Sequence, residues 1–355
     1  MAERVRWGVI GSGGIARRRT IPEGIAAAPN GVLAAVFDVD GEANRAVAAQ
    51  FGGQPMASLE DLLKADIDAV YIASPANAHY QQALAAAGAG KHIFCEKPLG
   101  MTVAEAEQMA AAARQAGVLF GAAFMMRFHS QHQAAKKIID AGGLGKPVYG
   151  RAQLSCWYPP MPGAWRQDPA TGGGGSLIDM GGHCADLLEM FFGPVSRVSC
   201  FTRNSVHAYK SEDSAVVLLE FASGALGTVD TFFCITDEGS KNALELHGSM
   251  GSILAEGTIG QGAQGKMTAI LKAGAGGYDA RQARDASGGI DIAPEPVNMY
   301  RAEIEAFGRA VLSGSQPDVG AQAGVRSQKV LTACYESARG GRAVDVSVRE
   351  EMTAP

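Results

Sequence analysis

Charge is scarce in this chain. Asp, Glu, Lys and Arg make up 19% of its 355 residues and sum to −5, so no basic surface is offered to nucleic acid or to an anionic membrane. Six cysteines occur with no C-x-x-C among them. Scattered in ordinary apolar contexts, they favour reduced thiols in a cytoplasmic protein over a disulfide scaffold. No apolar run is long enough to span a bilayer, and the opening "MAERVRWGVIG" has no charged-then-apolar export signal. There is no internal repeat. With apolar residues at 47%, an ordinary globular balance, the length suggests two domains, each with its own core.

The first third alternates short apolar runs with alanine-rich helical stretches. "VRWGVIG", "VLAAVFD", "DAVYIAS", "KHIFCE" and "VLFGAAF" are continuous apolar segments, as strands buried on both faces require. The expectation is an α/β Rossmann domain, a doubly wound parallel sheet, over residues 1–124. Beyond Phe124 the rhythm changes. "RVSCFTRN", "SAVVLLEFASGALGTVDTFF" and "NALELHGSMGSIL" alternate, and "ASG" is a hairpin signal. Residues 125–355 are therefore expected to form an α+β domain with a large, mostly antiparallel open sheet. Residues 256–290 read as loops with short strands, and helices are predicted over Asn298–Ser313 and Ala321–Arg339.

"GSGGIA" fits G-x-G-x-x-A at Gly11, Gly13 and Ala16. The first glycine permits a tight turn, and the second lets the backbone approach a pyrophosphate at a helix N-terminus. Gly11, Gly13, Gly14 and Ile15 are thus candidate cofactor residues. Asp38 ends the second strand, where an acid takes the adenosine ribose hydroxyls. Against a 2′-phosphate at about 4 Å it would cost up to about 4 kcal/mol at an effective dielectric of about 20. NAD is favoured, with NADP possible because Arg17, Arg18 and Arg19 stand nearby.

Proline keeps the preceding residue extended, so Lys97 in "FCEKPLG" should stand at the carboxyl end of its strand, where open α/β sheets bind ligands. Glu96 and Lys97 join the cofactor candidates. So do Ser74, Pro75, Asn77 and His79 of "SPANAH", although His79 reads equally well as a cap or packing residue. Downstream, Asp179 and His183 in "GGGGSLIDMGGHCADLLEMFFG" are four apart and share a helical face. The glycines before them would let backbone pass close to a ligand. Asp186 and Glu189 read as solvent or salt-bridge contacts. No third strong ligand has metal spacing, and His129 and His132 read as surface or pocket-rim residues. Arg127, Tyr158, Trp165 and Arg166 are candidates for binding a sugar or polyol, whose C–H faces and hydroxyls suit aromatic rings and guanidinium forks. Core packing is the competing reading for the tryptophans.

Taken together, "GSGGIA", "YIASPANAHYQQALAAAGAGKHIFCEKPLG", "AFMMRFH", "GGGGSLIDMGGH" and "YRAEIEAF…LTACYESARGGRAV" resemble the Gfo/Idh/MocA family of NAD(P)-dependent sugar and inositol oxidoreductases. The resemblance implies a Rossmann domain followed by an open-sheet domain whose outer face serves a homodimer or homotetramer. It also implies a cis Lys97–Pro98 bond and a catalytic trio of Lys97, Asp179 and His183. "VRWGVIGSGGIA" and "WYPPMPGAWR" resemble the branch that includes 1,5-anhydrofructose reductases. That branch is largely NADP-linked and often has serine or arginine where Asp38 stands here. The implied reaction is hydride transfer between the nicotinamide and a carbinol carbon, with His183 as base and Lys97 stabilising the alkoxide. Two rivals share the architecture: an NAD-recycling glycosidase, and a non-catalytic dinucleotide- or sugar-binding regulator.

Overall fold

A computed structural model describes residues 3–271 and 288–346. Six parallel strands form the first sheet, in the order β3-β2-β1-β4-β5-β6. They are β1 (Val5–Ile10), β2 (Gly31–Phe37), β3 (Gln54–Pro55), β4 (Ala69–Ile72), β5 (His92–Glu96) and β6 (Phe120–Ala123). The connecting helices are α1 (Gly41–Phe51), α2 (Leu59–Lys64), α3 (Ala76–Gly88) and α4 (Val103–Gln115), preceded by a wide-turned helix at Ala16–Ile25. In that helix the Ala26 N–H bonds the carbonyl of Ile21, five residues back. The strand order reverses between β1 and β4, which creates the switch-point crevice where such sheets take ligands.

Side chains alternate across these strands and are buried on both sides. Trp7, Val9, Tyr71 and Phe94 enter one core, while Ile10, Val70, Ile72 and Ile93 enter the other. Both faces therefore need covering. Part of the cover comes from the end of the chain, through α8 (Met299–Ser313) and α9 (Ala321–Gly340). Ile304 and Phe307 join the first core, with Phe307 stacked 4.9 Å from Phe94, and Val319 and Val325 join the second. The closing helices, predicted within the second domain, thus seal the first sheet as well.

The second sheet has nine strands in the order β14-β13-β12-β11-β7-β10-β9-β8-β15. They are β7 (Pro147–Ser155), β8 (Val195–Arg203), β9 (Ser214–Phe221), β10 (Leu226–Phe232), β11 (Ala243–Gly248), β12 (Gly251–Glu256), β13 (Lys266–Leu271), β14 (Ile290–Asp291) and β15 (Val344–Asp345). The "ASG" turn does join β9 to β10 as an antiparallel hairpin, and β7–β10 is the sheet's one parallel pairing among the described residues. Helices α5 (Ser130–Asp140), α6 (Pro169–Gly172) and α7 (Gly182–Phe192) belong to this half, and α7 buries Leu187, Leu188, Phe191 and Phe192 in its core. The other face is bare: Phe201 is 67% exposed, Leu226 57% and Leu218 55%. Within the 256–290 segment, β13 and β14 are the short strands, and residues 272–287 lie outside the described residues.

Candidate active site

The β1 turn forms as its glycines require. Gly11 has φ +80°, and a Cβ there would lie 2.4 Å from the Ser74 backbone nitrogen, so the turns after β1 and β4 can touch only through glycine. Asp38 Oδ2 accepts the Gly13 N–H at 2.8 Å, and the space in front of Gly14 is open. An acid at the end of β2 beside an uncluttered backbone turn is the cradle a dinucleotide needs, so these residues fit the cofactor.

Lys97 leaves β5 at the sheet's carboxyl end, and the Lys97–Pro98 bond is cis. Its Nζ donates to Asp179 Oδ1 at 3.0 Å and to the Asp179 main-chain carbonyl at 2.7 Å. Asp179 sits on a second wide turn, Leu177–Gly181, which continues directly into α7. Wide turns of this kind concentrate at functional sites. Arg166 brings its Nε to 3.0 Å from the same Oδ1 and lies over the Trp165 ring at 4.2 Å. That Nε is off line for a hydrogen bond, so the contact is a charge pair. Burial alone would raise the Asp179 carboxyl, but Arg166 and Lys97 outweigh it and hold the group well below the usual range.

His183 is on the same wall, buried, with its Nδ1 unpartnered and its ring edge-on to Phe124. Burial first, and then the Lys97 charge, push its pKa well down, so the imidazole stays neutral. Lys97, Asp179 and His183 therefore share one cleft of about 310 Å³, and Ile15, Ser74, Glu96, Trp165 and Arg166 also line it. Glu96 accepts the Tyr71 hydroxyl at 2.5 Å, and burial raises its pKa. His79 wedges between two turns, its ring nitrogens each 2.8 Å from the carbonyls of Pro98 and Ser74. It packs and lines the cleft at once.

Pro75 and Asn77 are exposed at the start of α3, directly after Ser74 of the cleft wall. Several other expectations need correction. Arg127 is committed to the buried Asp186, donating from Nε and Nη2 to both oxygens at 2.8 and 2.7 Å. It braces α7 and does not face the cleft. Tyr158 packs on Phe233 at 4.8 Å, and its hydroxyl lies beside Arg166, near Asp179. His129 and His132 are fully buried, not at a surface or rim: His129 caps α5, and His132 bridges the Met126 carbonyl and Thr258. The glycine tract serves the fold rather than a ligand, since a Cβ at Gly174 would meet the Tyr335 hydroxyl at 1.9 Å.

Other site residues escaped the sequence reading. Glu212 Oε1 accepts from the Gly175 and Leu177 N–H groups at 2.9 and 3.0 Å and from the Tyr335 hydroxyl at 2.9 Å, which fixes the turn carrying Asp179. Asn242 lines the cleft with φ +45°, the only positive φ outside glycine among the described residues. Tyr300 of α8 lines it too, with the Arg19 guanidinium 5.0 Å from its ring. Only Asn242 carried a signal, because asparagine tolerates the left-handed region.

No group of three or more His, Cys, Asp or Glu among the described residues could hold a metal ion, and no helix there is long and apolar enough to cross a membrane. Residues 5–124 match a family model described as an oxidoreductase family with an NAD-binding Rossmann fold, and residues 132–254 match the GFO/IDH/MocA C-terminal domain. The chain is 30% identical over 345 residues to the 1,5-anhydro-D-fructose reductase of Ensifer adhaerens, covering 96% of this chain and 98% of that protein. It is also 30% identical to D-xylose 1-dehydrogenase (NADP(+)) 2 of Haloferax volcanii, covering 96% and 99%. Among solved structures, the aldose-aldose oxidoreductase from Caulobacter crescentus complexed with glycerol superposes with a TM-score of 0.86 at 25% identity, covering 97% of this chain and 100% of that one. Family-model matches over residues 5–124 and 132–254, together with a relative aligned along 96% of the chain, place it in the Gfo/Idh/MocA family of oxidoreductases with an NAD-binding Rossmann domain.

Proposed function

We propose that the protein moves a hydride between a nicotinamide cofactor and a carbinol or carbonyl carbon of a sugar, inositol or sugar derivative, with Lys97, Asp179 and His183 as its catalytic residues. The observation that carries this reading is the pair of cations on one carboxylate, Lys97 Nζ and Arg166 Nε each 3.0 Å from Asp179 Oδ1, with a neutral imidazole on the same wall. When bound, the nicotinamide supplies the hydride acceptor or donor. Gly11, Gly13, Gly14, Ile15 and Asp38 hold the dinucleotide, while Ser74, His79 and Glu96 shape the cleft beyond it. The neutral imidazole of His183 takes the hydroxyl proton. The Lys97 ammonium donates to the developing alkoxide, and Asp179 orients Nζ for that purpose. Trp165 and Arg166 offer a ring face and a guanidinium to the sugar.

The carboxylate of Asp38 supports NAD over NADP. Residues 1–124 serve as the dinucleotide-binding domain and 125–355 as the substrate and oligomer domain, with α8 and α9 packed on both. The open outer face of the nine-stranded sheet, where Phe201, Leu218 and Leu226 stand with the Arg151–Asp230 and Arg151–Glu245 ion pairs, is the surface by which copies associate as a dimer or tetramer. Six unpaired cysteines accord with a reducing cytoplasm. The test is absorbance at the NADH band across inositols, aldoses and sugar acids, with both cofactors. Net NADH formation from a free sugar supports the reading. Aglycone release without it establishes the glycosidase, and cofactor binding with no transfer across the panel establishes the regulator.

A further inference from the structure

The catalytic cleft has a wall that the proposed reaction does not use. Lys97 enters from the first sheet, whereas Asn242 enters from the second, immediately before β11 and beside the end of β7. Asn242 holds φ +45°. Glycine would meet that backbone demand alone, so the side chain is what asparagine adds. One half of that side chain is engaged locally: Oδ1 accepts the Ser155 N–H at 3.0 Å and the Ser240 hydroxyl at 2.7 Å. A main-chain N–H can face only the amide oxygen, so the orientation of the amide is fixed. The other half is free. Nδ2 donates to no atom among the described residues, and it is not among the buried polar atoms sealed off without a partner. The charges nearby disfavour an anion. Lys97 and Arg166, the two cations of this wall, both lie 3.0 Å from Asp179 Oδ1. Arg19, over the Tyr300 ring, is paired with Glu23 at 2.8 Å. Asp237 also lines the cleft, and burial first, then the Asp179 and Asp237 charges, push the Cys156 thiol up to about 12. Ser155 and Cys156 are adjacent, so Asn242 and Asp237 belong to the same end of the cleft.

We propose that Asn242 is a specificity-determining residue: its amide N–H groups donate to a substrate hydroxyl on the side away from Lys97, and this end of the cleft selects a neutral polyol over a sugar acid or sugar phosphate. The inference rests on the reading of the cleft as a sugar or polyol site and narrows its substrate class. A hydroxyl suits both neighbours, since it accepts from Nδ2 and still has a proton to give a carboxylate. A carboxylate or phosphate could accept from Nδ2 as well, but it would meet Asp237 as a like charge.

The probes are myo-inositol and 1,5-anhydro-D-glucitol, neutral cyclic polyols with no carbonyl for NADH to reduce, titrated calorimetrically into the full chain saturated with NADH. At least one is expected to bind, and its affinity to fall about tenfold in Asn242→Gly, as the loss of one hydrogen bond implies. Glycine adopts the native backbone there, so the variant should keep its NADH affinity. Among monodeoxy derivatives of the polyol that binds, removal of one hydroxyl should cost about tenfold in wild type and nothing in Asn242→Gly. A purely structural role would lower every affinity together and leave that penalty in place. D-gluconate should bind wild type about tenfold more weakly than the polyol, or worse. A crystal structure of the wild-type ternary complex, which needs no variant to fold, should place a polyol hydroxyl within hydrogen-bond distance of Nδ2. The proposal is overturned if neither polyol binds, if the deoxy penalty is undiminished in Asn242→Gly, if D-gluconate binds as tightly as the polyol, or if Nδ2 meets only water. No hydride transfer is measured, so a polyol that binds through Asn242 without being oxidised by NAD would fail the catalytic reading and leave this one standing.

Discussion

In the six-stranded sheet, Trp7 and Val9 point to one side and Ile10 to the other, and both sides are covered. In the nine-stranded sheet, Val217 and Leu219 are covered while Val216 and Leu218 stay bare. The difference separates two tasks. The first sheet is closed on both faces, so only its carboxyl edge is free to present Lys97 and the glycine turn to a ligand. The second gives one face to α7, which carries His183, and leaves the other open to solvent. On the reading proposed above, catalysis and association would use opposite sides of the same nine strands.

That contrast can be broken at several points. The largest effect belongs at the carboxyl edge: Lys97→Ala should keep NADH binding, read by fluorescence, and lose about 10²- to 10⁴-fold in turnover. Unchanged turnover would remove the lysine from the mechanism. Next is the seal on the first sheet. Phe307→Ala should destabilise the chain by about 3–5 kcal/mol in urea unfolding, whereas Leu218→Ala on the bare face should stay within about 0.5 kcal/mol for the monomer. Equal losses would mean that the two faces are not different. Leu218→Asp should instead shift the oligomer toward monomer in sedimentation while sparing the cofactor affinity. A monomeric wild type would end that reading. The smallest effect is a displaced pH limb. His183 is held neutral below its ordinary pKa by burial and by the Lys97 charge, so the base persists as pH falls. The acid limb of kcat/KM for alcohol oxidation should therefore lie below the ordinary histidine value of about 6.5. A limb at or above that value would show a charged ring.

Much of this was legible from local pattern. Continuous apolar runs announced a sheet covered on both faces, and Gly11 announced a turn that only glycine permits. Asp179 and His183 were recognisable by their separation of four, even though the turn between them is wider than an α-helix. What the sequence hid depends on partners far along the chain. Arg127 looked available because nothing in "MMRFH" discloses Asp186, 59 residues on. The glycine tract looked like a ligand approach because Tyr335 and Glu212, which actually crowd it, come from a distant helix and loop. The same holds for α8 and α9: the helices themselves were expected, but not that Phe307 would stack on Phe94 against the first sheet. Local propensity reports an element and its buried face; which element meets that face is decided by tertiary packing.

The central claim is that the ammonium of Lys97 and the imidazole of His183 act on one reacting hydroxyl in one cleft. A double-mutant cycle on the hydride-transfer step tests it most directly, using Lys97→Ala, His183→Asn and the pair, each saturated with cofactor and followed by single-turnover absorbance. Groups that work as a unit are strongly non-additive, so the double variant is predicted to be about as slow as the slower single variant. A double variant slowed by the full product of the two single losses would show that the residues act independently and would contradict the account.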